Sequence, residues 1–112
     1  MKKPAIPESA IQKACLEYLR AKRIFAWRVN SGAVTATYNG KTRFVRFNGM
    51  PGMSDICGVL PDGRFLAVEV KREGGKTTPD QQTFLESVTK TGGLAIVVHS
   101  VDELDQAIRE AA

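Results

Sequence analysis

Histidine is almost missing from this chain: His99 is the only one among 112 residues. Catalysis built on histidine bases or histidine metal ligands usually needs more, so any bound metal would be held mainly by oxygen. Cysteine is scarce as well. Cys15 and Cys57 stand far apart with no CxxC pair, which excludes an ordinary structural zinc site. Both sit in apolar patterns and read as small buried residues. Long apolar runs are lacking: Leu94-Ala-Ile-Val-Val98 is the longest strand-like one, far short of the roughly 20 residues of a membrane span. The opening Met1-Lys-Lys-Pro4 has no apolar signal-peptide core, so the default expectation is a cytoplasmic protein. Repeats, linkers and low-complexity tracts are also absent, and the length suits one domain over residues 1–112. A net charge of +4 suits nucleic acid without demanding it.

What is present concentrates between Gly49 and Lys71. Gly49-Met-Pro-Gly-Met-Ser-Asp55 leads into a short apolar run, Ile56 to Leu60. Pro61-Asp62-Gly63 is turn chemistry, and Arg64 to Lys71 reads as a strand. Two strands about a tight turn make a hairpin. Alternation puts Phe65, Ala67, Glu69 and Lys71 on one face and Leu66, Val68 and Val70 on the other, the aliphatic face going to the core. Pairing about the turn brings Asp55 to the same end as Glu69 and Lys71. Two adjacent carboxylates repel, and a hard divalent cation would resolve the conflict. On spacing alone, Glu-x-Lys is as well explained by a surface ion pair. The glycine-rich lead-in favours a site, because it lets backbone approach a ligand closely.

Asp55 followed after a turn by Glu69-Val70-Lys71 resembles the PD-(D/E)xK nuclease signature. The lead-in from Gly49 to Asp55, the helix start Thr78-Pro79-Asp80-Gln81, and an early helix with Glu8 and Ile11-Gln12 are similar to the virus-type replication-repair nuclease (VRR-NUC) family. Ser54 stands where the motif often has proline. The resemblance covers nearly the whole chain. It implies a restriction-endonuclease-like α/β core and hydrolysis of DNA phosphodiesters with Mg²⁺ or Mn²⁺. Asp55, Glu69 and the Val70 carbonyl would be the ligands, with Glu8 an outer ligand or at a second ion. Lys71 would act as base or water-orienting charge, and Gln81 would reach into the active site. The implied substrate is branched DNA, four-way (Holliday) junctions foremost, cut by a homodimer in repair or recombination, in a phage as readily as in its host. A non-catalytic DNA-binding module and a nuclease for linear DNA are the alternatives.

The remaining elements follow from pattern. Pro7 suits a first helical position and Glu8 the first turn. Ile11, Cys15, Tyr18 and Leu19 make an apolar stripe; Glu8 falls on its side and Glu17 on the opposite side. Dipole compensation alone would explain Glu8. Arg20, Lys22 and Arg23 close this helix. Ile24 to Asn30 reads as a strand with Phe25 and Trp27 on one face, broken by Ser31-Gly32. Asn39-Gly40 joins Ala33–Tyr38 to Lys41–Phe47 in a protruding hairpin. Lys41, Arg43 and Arg46, interleaved with aromatics, suit DNA contact, a solvated hairpin or a dimer contact. Arg72 and Lys76, in a polar glycine-rich loop, are further candidate DNA contacts. Thr78 and Gln81 read as a capping box, which by itself accounts for Gln81, and a side chain so used is not readily free for an active site. Phe84, Leu85 and Val88 are that helix's apolar face, and Gly92-Gly93 ends it. Leu94 to His99 reads as a central, doubly covered strand. Ser100 and Glu103 read as a second capping box, with Val101, Leu104, Ala107 and Ile108 facing the core. The expected architecture is a mixed sheet flanked by helices.

Overall fold

A computed structural model describes residues 6–29, 33–46 and 49–112. Helix α1 (Glu8–Ala21) leads into β1 (Phe25–Arg28), followed by the ribbon β2 (Ala33–Tyr38) and β3 (Lys41–Arg46). The hairpin β4 (Ile56–Val59) and β5 (Phe65–Val70) comes next, then α2 (Pro79–Lys90), β6 (Leu94–Val98) and α3 (Val101–Ala111). The expected breaks at Ser31-Gly32 and the strand ends at Asn30 and Phe47 lie outside the described residues.

The main sheet has four strands in the order β1-β4-β5-β6. β1, β4 and β5 are antiparallel neighbours, while β5 and β6 run parallel, so the sheet is mixed as expected. Helices α1 and α3 cover one face and α2 the other. Leu66, Val68 and Val70 join Ile11, Cys15, Leu19 and Leu104 in the larger core. Ala67, Leu85 and Val88 form a smaller one beneath α2, flanked by Phe65 and Phe84.

The aliphatic face of β5 goes to the core as expected, while the expected central position of β6 is corrected. Both faces of β5 are buried from Leu66 onward, so the face carrying Glu69 is as sheltered as the aliphatic one. β6 has helices on both sides, but it ends the sheet, with Val97 partly exposed. An unbroken apolar strand is compatible with either position, because coverage by helices does not reveal which strand lies beside it.

The ribbon follows its turn chemistry. Asn39 and Gly40 both have positive φ, +50° and +75°, as a type I′ turn requires. Among the described residues, β2 and β3 pair only with each other. The Cα radius of gyration is 15.7 Å, above the roughly 13 Å of a compact chain near this length, in keeping with an arm that stands off the sheet.

Helix ends are set by small motifs. Pro7 is the residue before α1 rather than its first residue; its carbonyl accepts from Ala10 and Ile11. The C-terminus of α1 is a Schellman motif: Ile24 donates to Leu19 and Arg23 to Arg20. Arg23 takes the left-handed position with φ +59°, where glycine is the usual occupant. Gly92 and Gly93 build the same motif after α2. In α3, Ser100 accepts from the Glu103 amide, but the Glu103 carboxylate turns to the His99 amide and ring. The second capping box is therefore only half formed, because the neighbouring imidazole offers the carboxylate a second donor.

Replacing Arg23 with glycine removes the penalty of a left-handed side-chain-bearing residue. Arg23→Gly should stabilise the chain by about 1 kcal/mol in urea denaturation, with an unchanged dependence on denaturant.

Candidate active site

The β4–β5 register builds the site. Ile56 pairs with Val68 and Cys57 with Ala67, so one step further Asp55 faces Glu69 at the end opposite the turn. Leu60 and Arg64 close that turn through a 2.8 Å backbone bond. Asp55 is fixed at both its backbone and its side chain. Its carbonyl accepts from the Val29 amide, and its Oδ2 accepts from the Val70 amide at 2.8 Å. Because N–H and C=O of a strand residue face the same edge, the Val70 carbonyl is directed to the Asp55 side of β5.

Glu69 is only 2 % exposed. One of its oxygens, Oε1, accepts from Gln81 Nε2 at 3.2 Å and lies 3.7 Å from Lys71 Nζ. The other, Oε2, is buried and has no hydrogen-bond partner among the described residues. The Asp55 carboxylate lies against Glu69, but two charged carboxylates have no donor between them. Burial, and then the neighbouring Asp55 charge, push the Glu69 carboxyl up to about 8. Lys71, itself 12 % exposed, offsets this in part, and Glu8 adds to it weakly. A proton or a cation is what this pair lacks.

Glu8 is half-buried in the first turn of α1 while Glu17 is exposed, as their helical positions require. Its effect on Glu69 is the smallest of those acting there. Among the described residues, no three His, Cys, Asp or Glu side chains gather into one ligand set. The immediate acidic pair is therefore Asp55 and Glu69, with Glu8 farther out.

Gln81 resolves a conflict between two readings of its sequence. Its Oε1 accepts from the Thr78 amide and its own amide donates to Thr78 Oγ1, completing the capping box. Its Nε2 meanwhile donates to Glu69. The expectation that one side chain could not easily do both is corrected: the carboxamide has an acceptor and donors on opposite ends, and each end takes one task.

The glycine-rich lead-in makes a close backbone approach within the fold itself. Gly52 has φ +73°, and a Cβ there would sit 2.2 Å from the Asp80 carbonyl carbon. The loop thus docks backbone to backbone on the first turn of α2, which carries Gln81. In the sequence Ser54 reads only as a departure from the motif. It is fully buried, donates to the Ile56 carbonyl and lies 3.4 Å from Cys57 Sγ. Burial raises both thiols, Cys15 to about 11, and both cysteines are inert core residues as expected.

The candidate DNA contacts are dispersed. Lys41 and Arg43 are exposed on the ribbon beside Tyr38. Arg46 pairs with Ala33 at the far end of β3, and its side chain lies outside the described residues. Arg72 and Lys76 are exposed in the loop after β5.

The Glu69 shift has a sign. The ordinary carboxyl value is 4.5 and the folded value about 8, so the contribution of the protonated group to stability is complete below pH 4.5. It is lost as pH rises through about 8. Without added metal, the stability of wild type relative to Glu69→Gln should therefore fall between pH 5 and 8 on the order of this window. Urea titrations of both proteins across pH check this; a constant difference would show that Glu69 is solvated.

The VRR-NUC domain family model matches residues 6–102. A solved structure described as a VRR_NUC domain superposes with a TM-score of 0.63 at 27 % identity, over 91 % of this chain and 94 % of that one. A search of curated proteins finds no match. The motif residues, the mixed sheet with its flanking helices and the family match agree: this chain belongs to the VRR-NUC family, a nuclease-type domain that processes DNA.

Proposed function

We propose that the domain is a metal-dependent, structure-selective endonuclease that hydrolyses phosphodiesters in branched DNA, four-way junctions foremost. The observation that carries this reading is the buried Glu69 with an unsatisfied Oε2 beside Asp55. A hard divalent cation fits that donor set, and on binding would displace the proton that the raised Glu69 carboxyl otherwise keeps. Asp55, Glu69 and the Val70 carbonyl would hold Mg²⁺ or Mn²⁺, with Glu8 reaching it through water. When bound, such an ion polarises a phosphoryl oxygen and acidifies a water.

The chain's own groups have distinct tasks. Gln81 occupies Oε1 of Glu69 and so holds the carboxylate with Oε2 as its free acceptor. The Val70 amide fixes the rotation of Asp55. Lys71, held near Glu69 before substrate arrives, would swing its charge to the phosphate as negative charge builds there. The alternative role for the same amine is general base toward the attacking water. Lys41, Arg43, Arg46, Arg72 and Lys76 would contact backbone phosphates, which position DNA without reading sequence. A homodimer would present two sites about a two-fold axis, matched to the symmetry of a four-way junction.

Cleavage of a labelled four-way junction should require Mg²⁺ or Mn²⁺, stop with chelator, and exceed cleavage of a linear duplex of the same sequence. Asp55→Asn should abolish it while binding persists. Metal-independent binding with no turnover by the intact chain would leave a DNA-binding module instead.

Two substitutions separate the tasks of α2's first turn. Thr78→Ala should cost about 1 kcal/mol of stability with little change in cleavage by the folded protein. Gln81→Glu keeps a capping oxygen but replaces the donor to Glu69 with an acceptor, and should lower cleavage about 10²-fold or more with the fold intact by circular dichroism.

A further inference from the structure

β1 carries two aromatic rings that the core does not use. Phe25 is 71 % exposed and Trp27 37 %, their ring centroids 5.1 Å apart and tilted by 51°. Ala26, between them, points to the opposite face and is buried in the larger core. Register fixes which face the rings share. Trp27 pairs with Cys57 and Cys57 with Ala67, and Ala67 lies on the Glu69 side of β5. Helix α2 packs on that side against β5 and β6. The rings therefore lie at the open end of the same sheet face that holds Asp55 and Glu69. Asp55 precedes Cys57 on that face by about 7 Å, so Trp27 is its diagonal neighbour and Phe25 one row beyond. An exposed aromatic pair on a strand needs a partner of some kind, since leaving both rings in water forfeits their burial.

We propose that Phe25 and Trp27 form a stacking platform for unpaired nucleobases next to the phosphate that a cation bound at Asp55 and Glu69 would engage. The occupant follows from continuity with the site: DNA is what this domain processes, and a strand that crosses the acidic pair toward β1 along this face meets the rings next. Every base presents a flat π-face, so such a platform accepts strands without sequence preference and favours DNA whose bases are unstacked. Selectivity for branch points would then come partly from rings that intact duplex cannot use. The inference rests on the nuclease reading for the position of the phosphate, but it is tested by binding alone.

Trp27 is the only tryptophan in the chain, so its fluorescence reports on the platform directly. The experiment titrates the full chain, in metal-free buffer at fixed salt, with a short oligothymidylate and with an abasic oligomer of equal length. Quenching by the first and not the second supports the proposal; equal quenching, or none, overturns it. Phe25→Ala should weaken oligothymidylate binding by roughly 5- to 150-fold, the span of one stacked base, and leave blunt-duplex binding and its salt dependence unchanged. Trp27→Phe should retain most of the affinity that Trp27→Ala loses. If Phe25→Ala or Trp27→Ala instead changes the sedimentation of the DNA-free protein, the face is a contact between copies and the proposal fails. These titrations contain no metal and read binding alone, so loss of cleavage and loss of stacking remain separate results.

Discussion

A carboxylate that water cannot reach is the constraint on which this molecule depends. Glu69 sits on a strand covered on both faces, beside a second acid, with one oxygen satisfied and one not. Burying a charged group without a full set of partners costs several kcal/mol or shifts its titration. Here it shifts the titration upward. A hydrophobic residue at the same position would pack without that penalty, so the acid is poor design for stability alone. Such local cost is typical of sites arranged for a ligand rather than for the empty fold.

The surroundings read as a frame for that acid. The hairpin brings Asp55 opposite it, the parallel pairing with β6 anchors the strand beyond it, and α2 delivers Gln81 from above. Gly52 lets the loop that ends in Asp55 lie directly on the turn that supplies Gln81. The two acids are thus positioned through one continuous path of backbone contacts, and neither is mounted on a free loop.

Much of this was legible from residues alone because it is local. Asn39-Gly40, Pro61-Asp62-Gly63 and Thr78-Pro79-Asp80-Gln81 each carry their own conformational instruction, and the structure follows all three. The facing of Asp55 and Glu69 needed only the period of a strand and a tight turn. What escaped was whatever depends on neighbours distant in sequence. Period two assigns Glu69 to a face but not the helix that covers it. An apolar β6 can be central or terminal with the same side chains. The pairing of both ends of the Gln81 carboxamide requires knowing that Glu69 lies beneath it. Phe25 and Trp27 were placed on a common face, yet nothing in their spacing says that α2 stops short of them.

One backbone detail carries a consequence of its own. The Val70 amide donates to a side-chain carboxylate, whereas the next amide, Lys71, returns to an ordinary ladder bond with Val98. On its β4 side the strand therefore ends on a group that can change partners, while its β6 side continues one residue further. Protection of that single proton against deuterium would record how firmly Asp55 is engaged elsewhere, giving the β5 terminus the character of an internal gauge.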